Sequence, residues 1–304
     1  MNTALILALA LCLDAAFGEP RWLWSKFPHP AVLMGRVIGW ADKRFNAGAA
    51  RKRNGTLFCI GLSVGAFSIG AFLADFFLGD LVSLLLAATL LAQKSLAQHV
   101  QAVGDALRLS LGDGRRAVAQ IVGRDTAEMD ETAVTRGAIE SAAENFSDGV
   151  VAPAFWFLVA GLPGLLVYKV INTADSMIGY RNERYEDFGW ASARLDDLLN
   201  WIPARLTAVL IAATYLRPDA WHTIRRDAGL HRSPNAGWPE AAMAVVLNVS
   251  LSGPRSYDGE IRDFPYVYPE GRRTAGPTDI DAATSALWRV WVGLLGLVLL
   301  IALF

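Results

Sequence analysis

The sequence predicts an all-α integral membrane protein: about four full transmembrane helices, two short or broken membrane-dipping segments, and cytoplasmic helices and loops. Three observations carry this expectation. Hydrophobic residues make up 53% of the 304 and mean hydropathy is positive, too apolar for a typical soluble domain. Charged residues are nevertheless 19%, too many for a bare bundle of spans, so a substantial aqueous portion is expected. Finally, the apolar residues gather in runs at 3–17, 57–78, 81–97 and 286–304, which suit a hydrocarbon core of about 30 Å.

Residues 3–17 have no basic residue before them and no cleavage site after them, unlike a secretory signal, and read as a retained, short first span. Runs 57–78 and 81–97, parted only by Gly79 and Asp80, read as a transmembrane hairpin. In the first of them Gly61 and Gly65, with Gly70 beyond, either admit a close helix neighbour or are simply tolerated. An amphipathic helix follows over 97–121, ending near Gly112 and Gly114. Asp125-Thr-Ala-Glu128 then reads as a capping box opening a helix to about Asn145. Runs 150–171 and 202–216 are membrane-dipping or buried, because Gly161-Leu-Pro-Gly164 breaks the first and the second is short. Residues 251–284, rich in Gly, Pro and Asp, read as a long loop, and 286–304 is the clearest span. No repeat appears, so residues 1–304 are expected to form a single membrane-embedded catalytic domain.

Eight of the 28 basic residues fall in 18–56, six in 94–149 and nine in 217–289, with none at 79–80. The positive-inside rule makes those three segments cytoplasmic and puts both termini outside. Five more lie in 169–205, which keeps that segment inside as well and disfavours full crossings at 150–171 and 202–216. Asp14 and Lys94 then fall near cytoplasmic span ends, where either snorkels or faces a site.

A net charge of −1 and a pI near 6.4 leave no electrostatic case for nucleic acid. Cys12 and Cys59 sit in apolar runs without CxxC or Cys/His spacing, which argues against zinc or a disulfide framework; both read as small core residues. Neither standard nucleotide-binding loop is present, and the four histidines give no hydrolase triad. His231 opens HRSPNAGWPE and reads as a loop residue before a helix starting at Pro239-Glu240.

Chemistry concentrates between 136 and 205. Arg136, Glu140, Glu144 and Asp148 recur every four residues and share a helix face: a solvated face relieved by Arg136, or a site for Mg²⁺, which takes one or two carboxylates plus substrate phosphates. Asn145, Ser147 and Gly149 interrupt that helix as the apolar run begins, which favours the metal site. Asn172, Asp175, Ser176 and Gly179 share another face. Arg181 and Arg184 carry guanidinium forks suited to phosphate or carboxylate, or pair with Glu183, Glu186 or Asp187. Asp196 and Asn200 lie together at i, i+4, while Asp197 points away; one of the two acids suits metal and the other a pairing with Arg194 or Arg205.

These residues resemble the CobD/CbiB family of cobalamin biosynthesis over nearly the whole chain. The resemblance is carried by GEPRW at 18–22, HP at 29–30, GR at 35–36, GRDT at 123–126, ESAAENFSDGVVAP at 140–153, NTADSMIGYRNERYEDFGWASARLDDLLNWIPAR at 172–205 and SPNAGWPEAAMA at 233–244. One departure is Glu19, where the family usually reads GDP.

The resemblance implies an ATP- and Mg²⁺-dependent ligase of the inner membrane, multi-pass, with its active site facing the cytoplasm. It would join adenosylcobyric acid to aminopropanol phosphate, or aminopropanol, giving adenosylcobinamide or its phosphate. By matched positions, Glu140, Glu144, Asp148, Asp175, Asp196 and Asp197 are expected to supply metal ligands and a base, with Glu140, Glu144, Asp175 and Asp196 at the chemistry. Arg124, Arg181, Arg184 and Arg205 are expected on phosphate or substrate carboxylate, and Asn145, Asn172, Asn182 and Asn200 on ATP or substrate amides. The corrinoid is expected against a wall near Trp156, Tyr180 and Trp190. Expected partners are these small molecules and membrane lipid, with a homo-oligomer left open. Two alternatives are a membrane corrinoid transporter and a non-catalytic sensor resembling the AmpE-type proteins.

Overall fold

The computed structural model describes residues 2–257 and 259–304. Helices dominate: α1 (Thr3–Phe17), α2 (Arg21–Trp24), α3 (Pro30–Phe45), α4 (Arg51–Ala74), α5 (Gly79–Leu90), α6 (Gln93–Leu109), α7 (Leu111–Val118), α8 (Glu131–Phe146), α9 (Ala152–Ile178), α10 (Trp190–Leu199), α11 (Trp201–Thr214), α12 (Trp221–Ala228), α13 (Gly237–Leu247) and α14 (Pro277–Ala302). Strands β1 (Leu251–Ser252), β2 (Arg255–Tyr257), β3 (Glu260–Arg262) and β4 (Tyr266–Val267) form two antiparallel pairs, β1 with β4 and β2 with β3. The protein is an all-α membrane protein by class, and this small β region is its one departure among the described residues.

Among the described residues four helical stretches are long and apolar enough to cross a membrane: Arg51–Ala74, Gly79–Leu109, Glu131–Ile178 and Pro277–Ala302; Thr3–Phe17 and Trp201–Thr214 are shorter apolar helices. The expected total holds, but its membership changes. The first run makes a helix of 15 residues, about 22 Å long and short of a ~30 Å core. The 150–171 run instead lies inside the 48-residue stretch Glu131–Ile178. Its Gly161-Leu-Pro-Gly164 segment breaks the stretch as expected, so that α9 is two helices joined across a kink. Ala160 and Gly161 leave helical geometry (Gly161 at φ 60°), and Pro163 sits in the first turn that follows, where its missing N–H costs no bond.

By backbone proximity the chain groups into two compact units, each assembled from separated segments. The first comprises Met1–Ala92, Ala152–Trp201 and Val298–Phe304; the second comprises Gln93–Val151 and Ile202–Leu297.

In the first unit α4 runs along α9, and α1 packs on α5. Gly70 makes the α4–α9 approach possible, since a Cβ there would stand 2.6 Å from the Pro163 Cα, whereas Gly61 and Gly65 face nothing within 4 Å. Cys59, Val170 and Ile171 form one core patch, and Ile38, Ala41, Ala174, Ile178 and Phe188 another. Leu57, Ile60, Val64, Phe67 and Phe72 remain exposed on α4, a surface suited to lipid. Cys59 is the small core residue expected; Cys12 is exposed instead. Asp14, far from snorkelling, is buried.

In the second unit α8 packs against α6, α7, α13 and β1. The expected capping box at 125–128 does not form. Asp125 accepts hydrogen bonds from the Ser256 hydroxyl and the Gly259 amide, and the helix opens at Glu131 under Asp130, whose carboxylate accepts from the Ala133 N–H at 2.7 Å. A tertiary partner has taken the acid that local spacing assigned to a cap. Likewise 251–284 is not a structureless loop: it carries the four strands, and α14 begins at Pro277, where Asp279 accepts from the Gly276 N–H at 3.0 Å.

Candidate functional site

In the first unit, the end of α9 and the whole of α10 bring five predicted residues together. The buried Asp196 carboxylate accepts one hydrogen bond from the Asn172 amide at 3.2 Å and one from the Asn200 amide at 3.0 Å. The Asn200 carbonyl oxygen is in turn held by the Tyr168 hydroxyl at 3.0 Å, so the amide cannot flip without losing that bond. Burial, and then the nearby Asp175 carboxylate, push Asp196 up to about 7 against the pull of these two amides. Asp197 is also raised by burial, opposed by Arg194, which stands 3.8 Å away, and by Arg181. Gly179 is required beside Asp175, because a Cβ there would lie 2.0 Å from its carboxylate oxygen. Asp196 and Asp175 thus form a pair of mutually repelling acids whose local hydrogen bonds, on the Asp196 side, come from neutral amides.

The arginine expectations divide. Arg184 is bound to the Asp42 carboxylate of α3 at 2.6 Å, not to Glu183, Glu186 or Asp187. Asn46 braces that pair by donating to Asp42 at 2.8 Å and to the Arg184 carbonyl at 3.0 Å. Arg181 is exposed and acts on Asp197 through its charge. Asn182 shapes the turn, accepting from the Tyr185 N–H at 3.0 Å. Of the proposed corrinoid wall, Trp156 is half-buried with its ring N–H on the Leu199 carbonyl, Tyr180 is exposed, and Trp190 is exposed beneath the Lys52 ammonium.

In the second unit the acid face of α8 is organised differently. Glu140 is buried and receives the Ser252 N–H at 2.6 Å, the Arg124 guanidinium at 2.8 Å and that of Arg255 at 3.2 Å. Gly137, one turn earlier, makes room for Arg124, whose Nη2 would stand 2.6 Å from a Cβ at that position. Arg136 does not relieve the acids; it donates to the Arg273 carbonyl and stacks over Tyr266. Glu144 is exposed and Asp148 half-buried. Asn145, Ser147 and Gly149 do not interrupt the helix: a π-helical turn over Ser147–Val151 carries the backbone onward, a feature frequent at functional sites. Asn145 donates to Ser141, and Arg205 lies over the Trp238 ring and 3.4 Å from the Asn235 side-chain oxygen.

Buried beside this network, and absent from the expected site, is Glu240 of α13, with His231 Nε2 3.5 Å from its Oε1. Burial, then Glu140 and Glu144, push Glu240 well above the usual carboxylate range, with Arg255 and Arg124 opposing. Its signal in the sequence was a lone acid in the apolar run GWPEAAMAVVL. Arg255 and Asp42 left no such signal, since nothing local distinguishes them.

Among the described residues no three His, Cys, Asp or Glu side chains converge as a ready metal cage. Mg²⁺ does not need one, since it binds through one or two carboxylates plus phosphates. Asp196 and Asp175 fit that demand. Each Asp196 oxygen bears one amide hydrogen bond and retains a second lone pair, and a divalent cation would relieve the repulsion between the two acids. Glu140, with three donors already on it, fits less well.

Membrane-length helices with buried acid–amide and acid–arginine constellations define a polytopic helical membrane protein built around polar sites. The pattern described as CobD/Cbib protein matches residues 7–287, and the chain belongs to that family. Similar relatives are the proteins named Cobalamin biosynthesis protein CobD of Rhizobium meliloti, 52% identical over 93% of this chain and 92% of its own, and of Brucella anthropi, 50% identical over 97% and 95%. The protein of that name from Rhodobacter capsulatus is 43% identical over 88% and 87%. No solved structure matches.

Proposed function

We propose that the protein is an enzyme of cobalamin biosynthesis in the inner membrane. It joins adenosylcobyric acid to aminopropanol phosphate or aminopropanol at the expense of ATP, from a site facing the cytoplasm. Family membership supports the pathway, and the observation that carries the chemistry is the Asp196–Asp175 pair, buried and bound by amides. The placement of basic residues, and the supply of ATP, support the cytoplasmic side.

A carboxylate is a poor acylating agent, so the corrinoid acid must first exchange an oxygen for a phosphoryl or adenylyl leaving group. Asp175, Asp196 and Asp197 would hold Mg²⁺, which when bound neutralises phosphate charge and polarises the transferring group. Asn172 and Asn200 fix the Asp196 carboxylate, and Tyr168 fixes Asn200, so the acid is oriented before substrate arrives. Arg181 and Arg184 supply guanidinium charge to phosphate oxygens, Arg184 already held in place by Asp42. In the second unit Glu140 holds Arg124 and Arg255 together in one buried ion cluster.

Detergent-purified protein given adenosylcobyric acid, ATP, Mg²⁺ and each amine should yield an amide product detectable by mass, with ADP or AMP identifying the activation. Nucleotide-independent binding with no amide from either amine would overturn the proposal.

A further inference from the structure

We infer that the outward face of α3 is a seat for anionic phospholipid, with acyl chains along Leu33, Val37 and Trp40 and the headgroup phosphate at Lys43 and Arg44. The helix is divided lengthwise. Ile38 and Ala41 are buried against Ala174 and Ile178 of α9, while Gly35 and Gly39 lie against the Met177 side chain. Leu33, Val37 and Trp40 recur at i, i+4 and i+7 on another face and are exposed, and Arg44 continues their stripe at i+11. Arg36 and Lys43, also exposed, flank the stripe about 60° round the helix. Trp40 stands edge-on to Phe45 at 5.5 Å, and Arg44 lies 5.9 Å over the same ring, which holds the guanidinium beside the stripe. An apolar stripe with an open tryptophan and bordering cations is the make-up of a helix that meets the membrane interface.

Charge selects the lipid. Asp42, the one acid in α3, is turned inward onto the Arg184 guanidinium at 2.6 Å, so the exposed face carries cations alone. Residues 18–56 as a whole hold eight basic residues against Glu19 and Asp42, in a chain of net charge −1. Basic clusters beside a membrane span attract anionic headgroups.

The packing gives the seat the polarity of a phospholipid. In the first turn of α4 the Asn54 amide donates to the Phe45 carbonyl at 3.2 Å, which sets Lys43 and Arg44 level with the start of that membrane-length helix. Met34, about three turns earlier in α3, packs on the Cys59, Val170 and Ile171 patch, further along α4. The cations therefore stand at the end of the span and the apolar stripe runs inward from them, as phosphate and acyl chain do. A second copy of the chain fits worse, since a two-fold contact through this face would set its cations against their own copies.

The full-length protein in detergent, offered equal amounts of phosphatidylglycerol and phosphatidylcholine, should retain the former in native mass spectrometry. Its melting temperature should rise by several degrees with phosphatidylglycerol alone. Lys43→Gln combined with Arg44→Gln should weaken that binding on the order of 10-fold and remove most of the rise. Arg225→Gln combined with Arg262→Gln removes the same charge from exposed positions of the second unit and should change neither. Equal losses in the two double variants, equal retention of the two lipids, or the same rise with inorganic phosphate would each overturn the inference. Should the first double variant fail to accumulate folded, Trp40→Ala tests the stripe without touching charge: weaker phosphatidylglycerol retention supports the seat, and unchanged retention removes it.

Discussion

Asp196 and Glu140 are both buried acids on helices, yet their surroundings are opposite. Glu140 faces two guanidinium groups and a backbone N–H, a set that matches its charge. Asp196 faces two neutral amides and another acid. A matched acid is part of the scaffold, because removing it strands the charges around it. An acid that is oriented but not neutralised gains only when a cation or proton arrives, which is what a binding site requires. The contrast separates, within one list of candidate acids, those that hold the fold from those offered to ligand.

Substitutions at the two acids should therefore fail in different ways. Glu140→Ala leaves Arg124 and Arg255 buried without their anion, and is expected to cost about 3–5 kcal/mol of stability, read as a large fall in melting temperature and in membrane yield. A Glu140→Ala protein as stable as the parent would erase that distinction between the two acids. Asp196→Asn keeps the shape and removes the repulsion with Asp175, so it should fold at least as well while losing ligation by more than about 100-fold. Asn200→Ala, which frees Asp196 to swing without touching its charge, should cost about 10–100-fold in activity or in apparent Mg²⁺ affinity.

The spans and the acid cluster were legible because both are local. Apolar run length gave the helices, and i, i+4 spacing gave the Asp196–Asn200 contact. Gly161 and Pro163 marked the place where two helices meet across a kink, whereas the short first run misled because composition says nothing of whether a helix reaches across. Asp42 with Arg184, Asp125 with Ser256 and Glu140 with Arg255 were illegible for one reason: each pair lies more than 100 residues apart and forms only when the chain has folded. Glu240 was visible as an oddity in an apolar helix, but nothing in its own segment named Arg255 or Glu140 as neighbours.

The pH dependence of stability sharpens the comparison further. Because the folded Asp196 holds its proton up to about 7 while the unfolded residue releases it near the ordinary aspartate value of 3.8, the folded state binds more protons between those limits. Stability should then fall as pH rises across that window, and Asp196→Asn should flatten the fall. Mg²⁺ acts in the opposite sense, since it competes with the proton for the same carboxylates. Its stabilising effect on melting temperature should be larger at pH above 7 than at pH 5, and should shrink in Asp196→Asn.

The smallest effect is expected at Arg184, whose side chain is 63% exposed although its partner Asp42 is buried. Water and salt screen such a pair, so Arg184→Ala should change stability by about 1 kcal/mol or less. If the side chain serves phosphate, the substitution should still raise the KM for ATP while the melting temperature hardly moves. A stability loss as large as that of Glu140→Ala, with ATP use unchanged, would instead make the Asp42 pair a scaffold contact like the one around Glu140.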